Sequence, residues 1–407
     1  MKKLLSILCA AVLLATLVIT CVSCGGSSVS ADFKVGAILI GDENEGYTYA
    51  HINGIRTAAK ELGMSDDQII WKYTVPEDEK CYDAAIDLVE QGCSVIFSNS
   101  YGHQSHMKQA AQECPDVTFV AMTGDQAATS GLSNYKNAFT GVYQSRYVAG
   151  VVAGMKLAEL VADGKLTDAN YDGDNIKLGY VGAYPYAEVV SGFTAYYLGV
   201  KSVVENVTMQ VTYTNSWFDI TAEGTVAEAL AADGCVIISQ HADSTGAPAA
   251  VQALQDKGQV IYCVGYNVDM LSVAPNAALT SPTNTWAVYY KYAMETAANG
   301  GTIDTNWAKG YEADAVGITA LGSACAAGTQ EKVDEVVKGL KDGSIKVFDT
   351  SKFTVGDATL TEYLADVDGD FAPDTNAIWD GYFHESEMRS APYFDIRIDG
   401  IVENNNN

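Results

Sequence analysis

Positive charge is scarce in this chain of 407 residues. The chain carries 24 Lys and Arg against 51 Asp and Glu, which gives a formal net charge of −27. Binding to a nucleic acid needs clustered Lys and Arg that neutralise phosphates, so this composition argues against a nucleic-acid partner. Apolar residues make up 48% of the chain, which provides for a substantial core and argues against bulk disorder. The length suggests two or three domains.

Motifs for several kinds of chemistry are also absent. The sequence has no G-x-S-x-G elbow, no P-loop and no C-x-x-C pair among the cysteines after residue 30, which we expect to be free thiols. No nucleophile–base pair stands out, so we do not expect an enzyme. His103 and His106 form only a weak H-x-x-H pattern. The acidic stretch that begins at Asp366 looks faintly like a calcium loop, but it lacks the Gly of loop position six and the Glu of position twelve. We therefore expect neither a bound metal nor a cofactor.

The first thirty residues differ from the rest. Lys2 and Lys3 precede an apolar stretch that extends to Val22, a pattern typical of a bacterial export signal. Cys24 follows a small residue and precedes a Gly/Ser spacer, and this arrangement resembles the lipobox of bacterial lipoproteins. That resemblance implies that Cys24 becomes the first residue and carries lipid, with Cys21 as a second candidate. A secretory signal without lipid is the alternative.

We therefore expect residues 1–23 to be a lipoprotein signal peptide and residues 24–31 to be a tether. The lipid would anchor the protein to the bacterial cell membrane on its extracytoplasmic side. After residue 30 no apolar run reaches the roughly 18 residues of a spanning helix.

From residue 32 onward, short apolar runs alternate with amphipathic segments, which predicts parallel sheets covered by helices on both faces. The expected strands fall at 35–40, 68–75, 94–97 and 117–122, then at 176–181, 207–213, 236–238 and 260–264, with one more at 278–281. Because the pattern restarts once, we predict two α/β lobes, at residues 32–143 and 144–264. Residues 265–407 would cross the hinge, complete the lobes and form a C-terminal extension.

Aromatic and hydrogen-bonding side chains follow nearly every predicted strand. In open α/β sheets, ligands bind beyond the carboxyl ends of the strands. The candidate ligand-binding residues at these ends are Tyr47, Tyr49, Tyr101, Trp217, Asp219, Asp243, Asn267 and Asp269. Rings supply stacking surface, and carboxylates and amides can hold ring edges, so the set suits a flat, polar, uncharged ligand. A purine or nucleoside fits this description, and so does a sugar.

Five stretches resemble those of a known family. They are Gly46-Tyr-Thr-Tyr-Ala-His51, Pro115-Asp-Val-Thr-Phe119, Gly141-x-Tyr143-x-x-Arg146, Asn215-Ser-Trp-Phe-Asp219 and Gln240-His-x-Asp-Ser244. Their order and spacing resemble the basic membrane protein (BMP) family of bacterial solute-binding lipoproteins. The resemblance implies two Rossmann-like lobes, as in type I periplasmic binding proteins, with a ligand cleft between them. It also implies a purine base or nucleoside as ligand, and the permease and ATPase subunits of an ABC importer as partners.

The resemblance assigns roles to single residues as well. Tyr49, with Tyr47 beside it, falls on the first stacking aromatic of the family, and Trp217 falls on the second. Asp243 and Asn267 fall on polar positions of the cleft.

One departure from the family concerns the sugar of a nucleoside. Nucleoside-binding relatives have a Lys close to the ribose, near position 280, whereas this chain has Ser281-Pro-Thr-Asn284 there. The missing Lys favours a purine base over a nucleoside. The alternative is a binding protein for another small polar solute, such as a sugar or a signalling compound.

Overall fold

The structure is a computed structural model that describes residues 29–404. The expected signal peptide and the lipidation candidates Cys24 and Cys21 lie outside the described residues. The strands are β1 (Val35–Ile38), β2 (Ile69–Lys72), β3 (Val95–Ser98), β4 (Thr118–Met122), β5 (Tyr135–Thr140), β6 (Tyr171–Asp172), β7 (Asn175–Gly182), β8 (Val207–Tyr213), β9 (Ile237–Gln240), β10 (Tyr262–Val264), β11 (Pro282–Asn284), β12 (Asn306–Lys309), β13 (Val316–Ile318), β14 (Leu364–Ala365), β15 (Thr375–Asn376), β16 (Ile378–Trp379), β17 (Tyr382–Phe383) and β18 (Ile401–Glu403).

The α-helices of the described residues lie mainly between these strands. They are α1 (Gly46–Glu61), α2 (Glu79–Glu90), α3 (Gln104–Glu113), α4 (Val142–Ala162), α5 (Ala187–Lys201), α6 (Ile220–Ala232), α7 (Gly246–Asp256), α8 (Trp286–Ala298) and α9 (Thr329–Lys341).

Two parallel sheets organise the molecule into two α/β lobes. The first sheet has the order β12-β5-β4-β3-β1-β2, and Val35 lies opposite both Ile69 and Val95. The second has the order β10-β9-β7-β8-β18, with the short β6 antiparallel to β7. Central strands such as β1 are buried along their whole length, as parallel strands covered on both faces must be.

Local sequence explains where the helix of the first loop begins. The carboxylate of Glu45 accepts hydrogen bonds from the backbone amides of Tyr47 (2.7 Å) and Thr48 (2.8 Å), which caps α1. The helix then buries Ile52 and Ile55 and packs against α8. This cap holds the first turn of α1 at the carboxyl end of β1, where ligands bind in such folds.

Small residues allow α4 and α5 to pack backbone against backbone. A Cβ atom on Gly150 would lie 2.1 Å from the carbonyl oxygen of Tyr196, and one on Gly199 would lie 2.1 Å from that of Tyr147. Any larger residue at either position would force the two helices apart. The contact fixes α5, whose first turn faces the first lobe.

The chain passes between the lobes more than once. Helix α8 and strand β12 belong to the first lobe, although they follow the strands of the second. The strand expected at 278–281 is displaced: only Ala278 there forms an isolated bridge, to Cys263, and β11 begins at Pro282. Strand β11 then pairs antiparallel with β13.

The C-terminal extension, residues 345–404, packs on the second lobe. The rings of Phe348 and Phe394 stack with centroids 4.1 Å apart, and Phe383 lies 4.9 Å from Phe394 in an edge-on contact. Strand β18 pairs with β8 at the sheet edge, with Ile401 opposite Met209. Burial of each phenylalanine side chain contributes roughly 1.5–3 kcal/mol, so the extension is part of this lobe's core.

The six cysteines of the described residues are free thiols: Cys81, Cys93, Cys114, Cys235, Cys263 and Cys325. Between residues 29 and 404, no helix is long and apolar enough to cross a membrane.

Candidate ligand-binding site

A cavity of about 410 Å³ lies between the two lobes. Its walls come from the loops after β1, β2, β3 and β4 in the first lobe, and from the loops after β8, β9 and β10 and the first turn of α5 in the second. The lining residues are Ile40, Gly41, Asp42, Asn44, Glu45, Tyr47, Thr74, Glu77, Asn99, Ser100, Tyr101, Thr123, Glu188, Trp217, Phe218, Asp243 and Tyr266. The volume falls within the range of small-molecule sites.

Aromatic rings enter the cavity from both lobes. In the first lobe, the hydroxyl of Tyr47 donates to the carbonyl of Asn99 (2.5 Å), which fixes the ring at the cavity wall. In the second lobe, Trp217 contacts Tyr184, with ring centroids 5.4 Å apart, and Tyr184 stacks on Tyr186 at 5.2 Å. These contacts hold the rings in place, so the rings can stack on a ligand with little loss of conformational entropy.

A buried chain of amides holds Asp243. Asn267 Nδ2 donates to Asp243 Oδ1 (2.7 Å), and Asn284 Nδ2 donates to Asn267 Oδ1 (3.2 Å). Thr140, at the end of β5 in the first lobe, donates in turn to Asn284 Oδ1. Asn267 adopts a φ of 63°, a left-handed conformation that asparagine tolerates. Thus Asn267 positions the carboxylate of Asp243 rather than lining the cavity.

Burial shapes the charge of the cavity. It raises the pKa of Glu188 to about 7, although the Arg146 guanidinium acts in the opposite direction. The pKa of Asp243 is raised well above its ordinary value, first by burial and then by the carboxylates of Glu45 and Glu188. Among the described residues that line the cavity there are five carboxylates and no Lys or Arg. Such a site favours a neutral or cationic ligand with N–H or O–H donors.

Arg146 lies behind this wall. Its guanidinium stands 3.8 Å from the centroid of the Tyr266 ring, and its Nη1 donates to the hydroxyl of Tyr180 and the carbonyl of Gln240, both at 2.7 Å. Arg146 therefore supports the ring of Tyr266 through a cation–π contact.

The structure brings only some of the expected residues together. Tyr47, Tyr101, Trp217 and Asp243 line the cavity. Tyr49 lies instead in a neighbouring pocket of about 270 Å³ and is 41% exposed.

The side chains of two further candidate residues accept hydrogen bonds from nearby backbone amides. Asp219 is the N-cap of α6 and accepts from the amides of Thr221 and Ala222, at 3.0 and 2.9 Å. Asp269 accepts from the amide of Leu271 at 2.7 Å. Neither Asp219 nor Asp269 lines the cavity.

Reasoning from the sequence missed Glu188 and Tyr266 as cavity residues. Tyr266 lies two residues after the end of β10, and ligands in open α/β sheets bind beyond the carboxyl ends of the strands. Glu188 is harder to find, because an acidic residue in the first turn of a helix is explained equally well by the helix dipole.

One acidic group outside the cavity brings three potential metal ligands together. Carboxylate oxygens of Asp366, Asp368 and Asp370 all lie within 4.8 Å of one another. This is the sequence feature that resembles an incomplete calcium loop, and it belongs to the C-terminal extension.

Comparison with known proteins defines the class. Residues 40–350 match the model of the Bmp family, described as ABC transporter substrate-binding protein PnrA-like. The family and the fold are thus those of solute-binding proteins. The chain belongs to the Bmp family, as the sequence motifs indicate, and it is a solute-binding protein of an ABC transporter.

Several individual proteins are similar. A purine-binding protein of Brucella abortus is 32% identical over 267 residues, which cover 65% of this chain and 69% of that protein. A putative ABC transporter glucose-binding protein of Haloferax volcanii is 28% identical over 68% of this chain and 64% of its own length. Basic membrane protein A of Borreliella burgdorferi is 23% identical over 67% of this chain and 74% of its own.

Solved structures share the fold. A solute-binding protein from Aeropyrum pernix superimposes with a TM-score of 0.64 at 15% identity, covering 80% of this chain and 94% of its own. One from Conexibacter woesei gives 0.61 at 18% identity, covering 77% and 98%. The two-lobed binding-protein fold expected from the sequence is therefore confirmed.

Proposed function

We propose that this protein binds a purine base or purine nucleoside in the interlobe cavity and delivers it to an ABC importer. The observation that carries the proposal is the pairing of aromatic rings from both lobes with carboxylates in one cavity. Tyr47 and Tyr101 stand on one side, and Trp217 and Tyr266 on the other. A purine offers two flat faces to such rings and N–H donors at its edge, which Glu188 can accept.

The charge of the cavity narrows the ligand class. A nucleotide would bring phosphate into a site with five carboxylates and, among its described lining residues, no Lys or Arg. No cation of the lining compensates the phosphate charge, and the acidic side chains that stay ionised repel it, so a phosphorylated ligand is disfavoured. The residues Ser281-Pro-Thr-Asn284 also lack the Lys that nucleoside-binding relatives place near the ribose. Both features favour the free base within the proposed class.

A sugar is the second candidate, because the Haloferax volcanii relative is a putative glucose-binding protein. Aromatic faces also pack against sugar rings, and carboxylates hold hydroxyl groups. The purine proposal is favoured by the higher identity to the Brucella abortus relative, whose name specifies purine binding.

We also propose that the protein is anchored to the outer face of the cell membrane through lipid on Cys24. The permease and ATPase subunits of the importer would be its partners. Mass spectrometry of the mature N-terminus tests the anchor: a diacylated Cys24 supports it, and an unmodified N-terminus contradicts it.

The ligand proposal is tested by isothermal calorimetry. The protein would be denatured and refolded to remove any retained ligand, then titrated with adenine, guanine, hypoxanthine, their nucleosides, AMP and glucose. We expect micromolar or tighter binding of at least one base, on the order of −8 kcal/mol, and no binding of AMP. Binding of glucose without any purine would overturn the purine proposal and leave the solute-binding class intact.

A further inference from the structure

The C-terminal extension contacts both lobes. Its aromatic core packs on the second lobe, yet other parts of it reach the first. Thr129 Oγ1 in the first lobe donates to the carbonyl oxygen of Asp368 (3.3 Å). The hydroxyl of Ser390 donates to Asn306 Oδ1 on β12 (3.3 Å). The match to the family model ends at residue 350, so most of this bridge is an addition to the family fold.

Arg389 is the charged centre of the bridge. It is 8% exposed, and its Nε and Nη2 donate to the carbonyl oxygens of Ala391 and Pro392, both at 3.1 Å. This anchoring directs Nη1, which makes no hydrogen bond, between two carboxylates. Nη1 lies 3.9 Å from Asp125 Oδ2 in the first lobe and 3.9 Å from Asp366 Oδ2 in the extension.

Asp125 connects this cation to the ligand cavity. The hydroxyl of Tyr101 donates to Asp125 Oδ2 (2.9 Å), the same oxygen that faces Arg389. Tyr101 is 44% exposed and lines the cavity. Arg389, Asp125 and Tyr101 thus form a continuous polar chain from the extension to the site.

The lobes are in contact in this structure. A Cβ atom on Gly46, at the start of α1, would lie 3.4 Å from the carbonyl oxygen of Asp243 and 3.5 Å from Val268, both in the second lobe. Movement of the two lobes apart would widen this cavity. That movement would stretch the contacts between the extension and the first lobe, including the one at Asp125.

We propose that the C-terminal extension is an interlobe latch, and that Arg389 is a positioning residue that holds Asp125 and Tyr101 in place for the bound ligand. The second part rests on the proposed function of the cavity. The physical basis is charge: without the cation, Asp125 and Asp366 face each other at the lobe boundary as two uncompensated carboxylates, which disfavours the closed form. A contact made only in the closed form strengthens ligand binding by its own contribution to closure.

The test compares ligand dissociation rates in the full-length protein. Stopped-flow release of adenine should be about tenfold faster in Arg389→Gln than in the wild type, a typical magnitude for coupling between sites. Arg397→Gln is the matched control. It breaks an ion pair with Glu403 (2.8 Å) inside the extension and second lobe, and it should leave the rate unchanged. Arg389→Lys keeps the charge and should recover most of the slow release.

A double-mutant cycle separates positioning from general destabilisation. In an Asp125→Asn background, where Tyr101 keeps an acceptor, Arg389→Gln should add little further effect on release. Fully additive effects would refute the relay through Asp125. Equal release rates in Arg389→Gln and the wild type would refute the latch.

Hydrogen exchange of the ligand-free protein tests the latch without any ligand. Arg389→Gln should speed exchange at residues 123–130 in the first lobe, and Arg397→Gln should not. Absence of that difference would overturn the latch even if purines bind. If the wild type binds no purine while the exchange difference appears, the proposed ligand fails and the latch stands.

Discussion

The sharpest prediction concerns Trp217, the largest ring in the cavity. Its side chain is partly exposed and faces the ligand space, and its backbone carbonyl accepts from the amide of Asp243 (2.7 Å), a contact that survives any side-chain change. Replacement by alanine therefore removes a stacking face and leaves the loop in place. Stacking of a base on an aromatic ring contributes roughly 1–3 kcal/mol. Adenine binding to Trp217→Ala should weaken by about 5- to 150-fold.

Calorimetry with adenine measures this change directly. Trp379→Ala provides the matched control, because Trp379 lies in the extension, stacked on His384 at a centroid distance of 3.4 Å and outside the cavity lining. The control should keep the wild-type affinity. If Trp217→Ala binds adenine within twofold of the wild type while both variants remain folded, the ring does not stack on the ligand and the proposed pose is wrong.

Three further outcomes are expected. Burial raises the pKa of Glu188 to about 7, so the ionised form that accepts a ligand N–H falls about tenfold between roughly pH 8 and pH 6. The affinity for adenine, measured by calorimetry, should fall by the same factor over this pH range. Glu188→Gln should abolish the pH dependence of the affinity. If this variant keeps the wild-type pH profile, Glu188 is not the acceptor. Burial also raises the pKa of Glu385 to about 8, from an ordinary 4.5. The folded state then holds that proton more tightly than the unfolded chain, so stability is lost as pH rises through this interval. Glu385→Gln should flatten that decline in urea midpoint, and an unchanged slope would contradict the assignment. Finally, Phe394→Ala should lower the free energy of unfolding by about 3–5 kcal/mol in urea denaturation, because it empties the stacked core of the extension; a loss below about 1 kcal/mol would show that this core adds little.

Most of the fold was predictable because its strands are short, apolar and buried on both faces. The expected strands at 207–213 and 117–122 match β8 and β4 within one residue. Strand β5 escaped prediction because it carries Lys136 and Asn137 in a buried position. The side chain of Asn137 is satisfied by partners ten or more positions away, accepting from the amide of Ala127 (2.6 Å) and donating to the carbonyl of Ala121 (3.0 Å).

Two strands at the sheet edges were not predicted, for a different reason. Strands β12 and β18 are four and three residues long, and each pairs with a strand more than 150 positions earlier in the chain. A segment that short has no periodicity to detect, and its pairing depends on the completed sheet beside it. The position of the C-terminal extension on the second lobe could not be predicted from the sequence for the same reason.

The packing of α1 in the tertiary structure decides which of its two tyrosines faces the ligand cavity. Motif order assigns the first stacking aromatic to Tyr49 with Tyr47 beside it, and both lie in the first turn of α1. Residues two apart on a helix point about 200° apart, so only one of the two can face a given cavity. The structure turns Tyr47 into the interlobe cavity and Tyr49 into the neighbouring pocket beside Phe218. Which ring meets the ligand depends on the rotation of α1 about its axis. That rotation is set by the Glu45 cap at its start and by its buried face against α8, which are contacts that a motif alone does not encode.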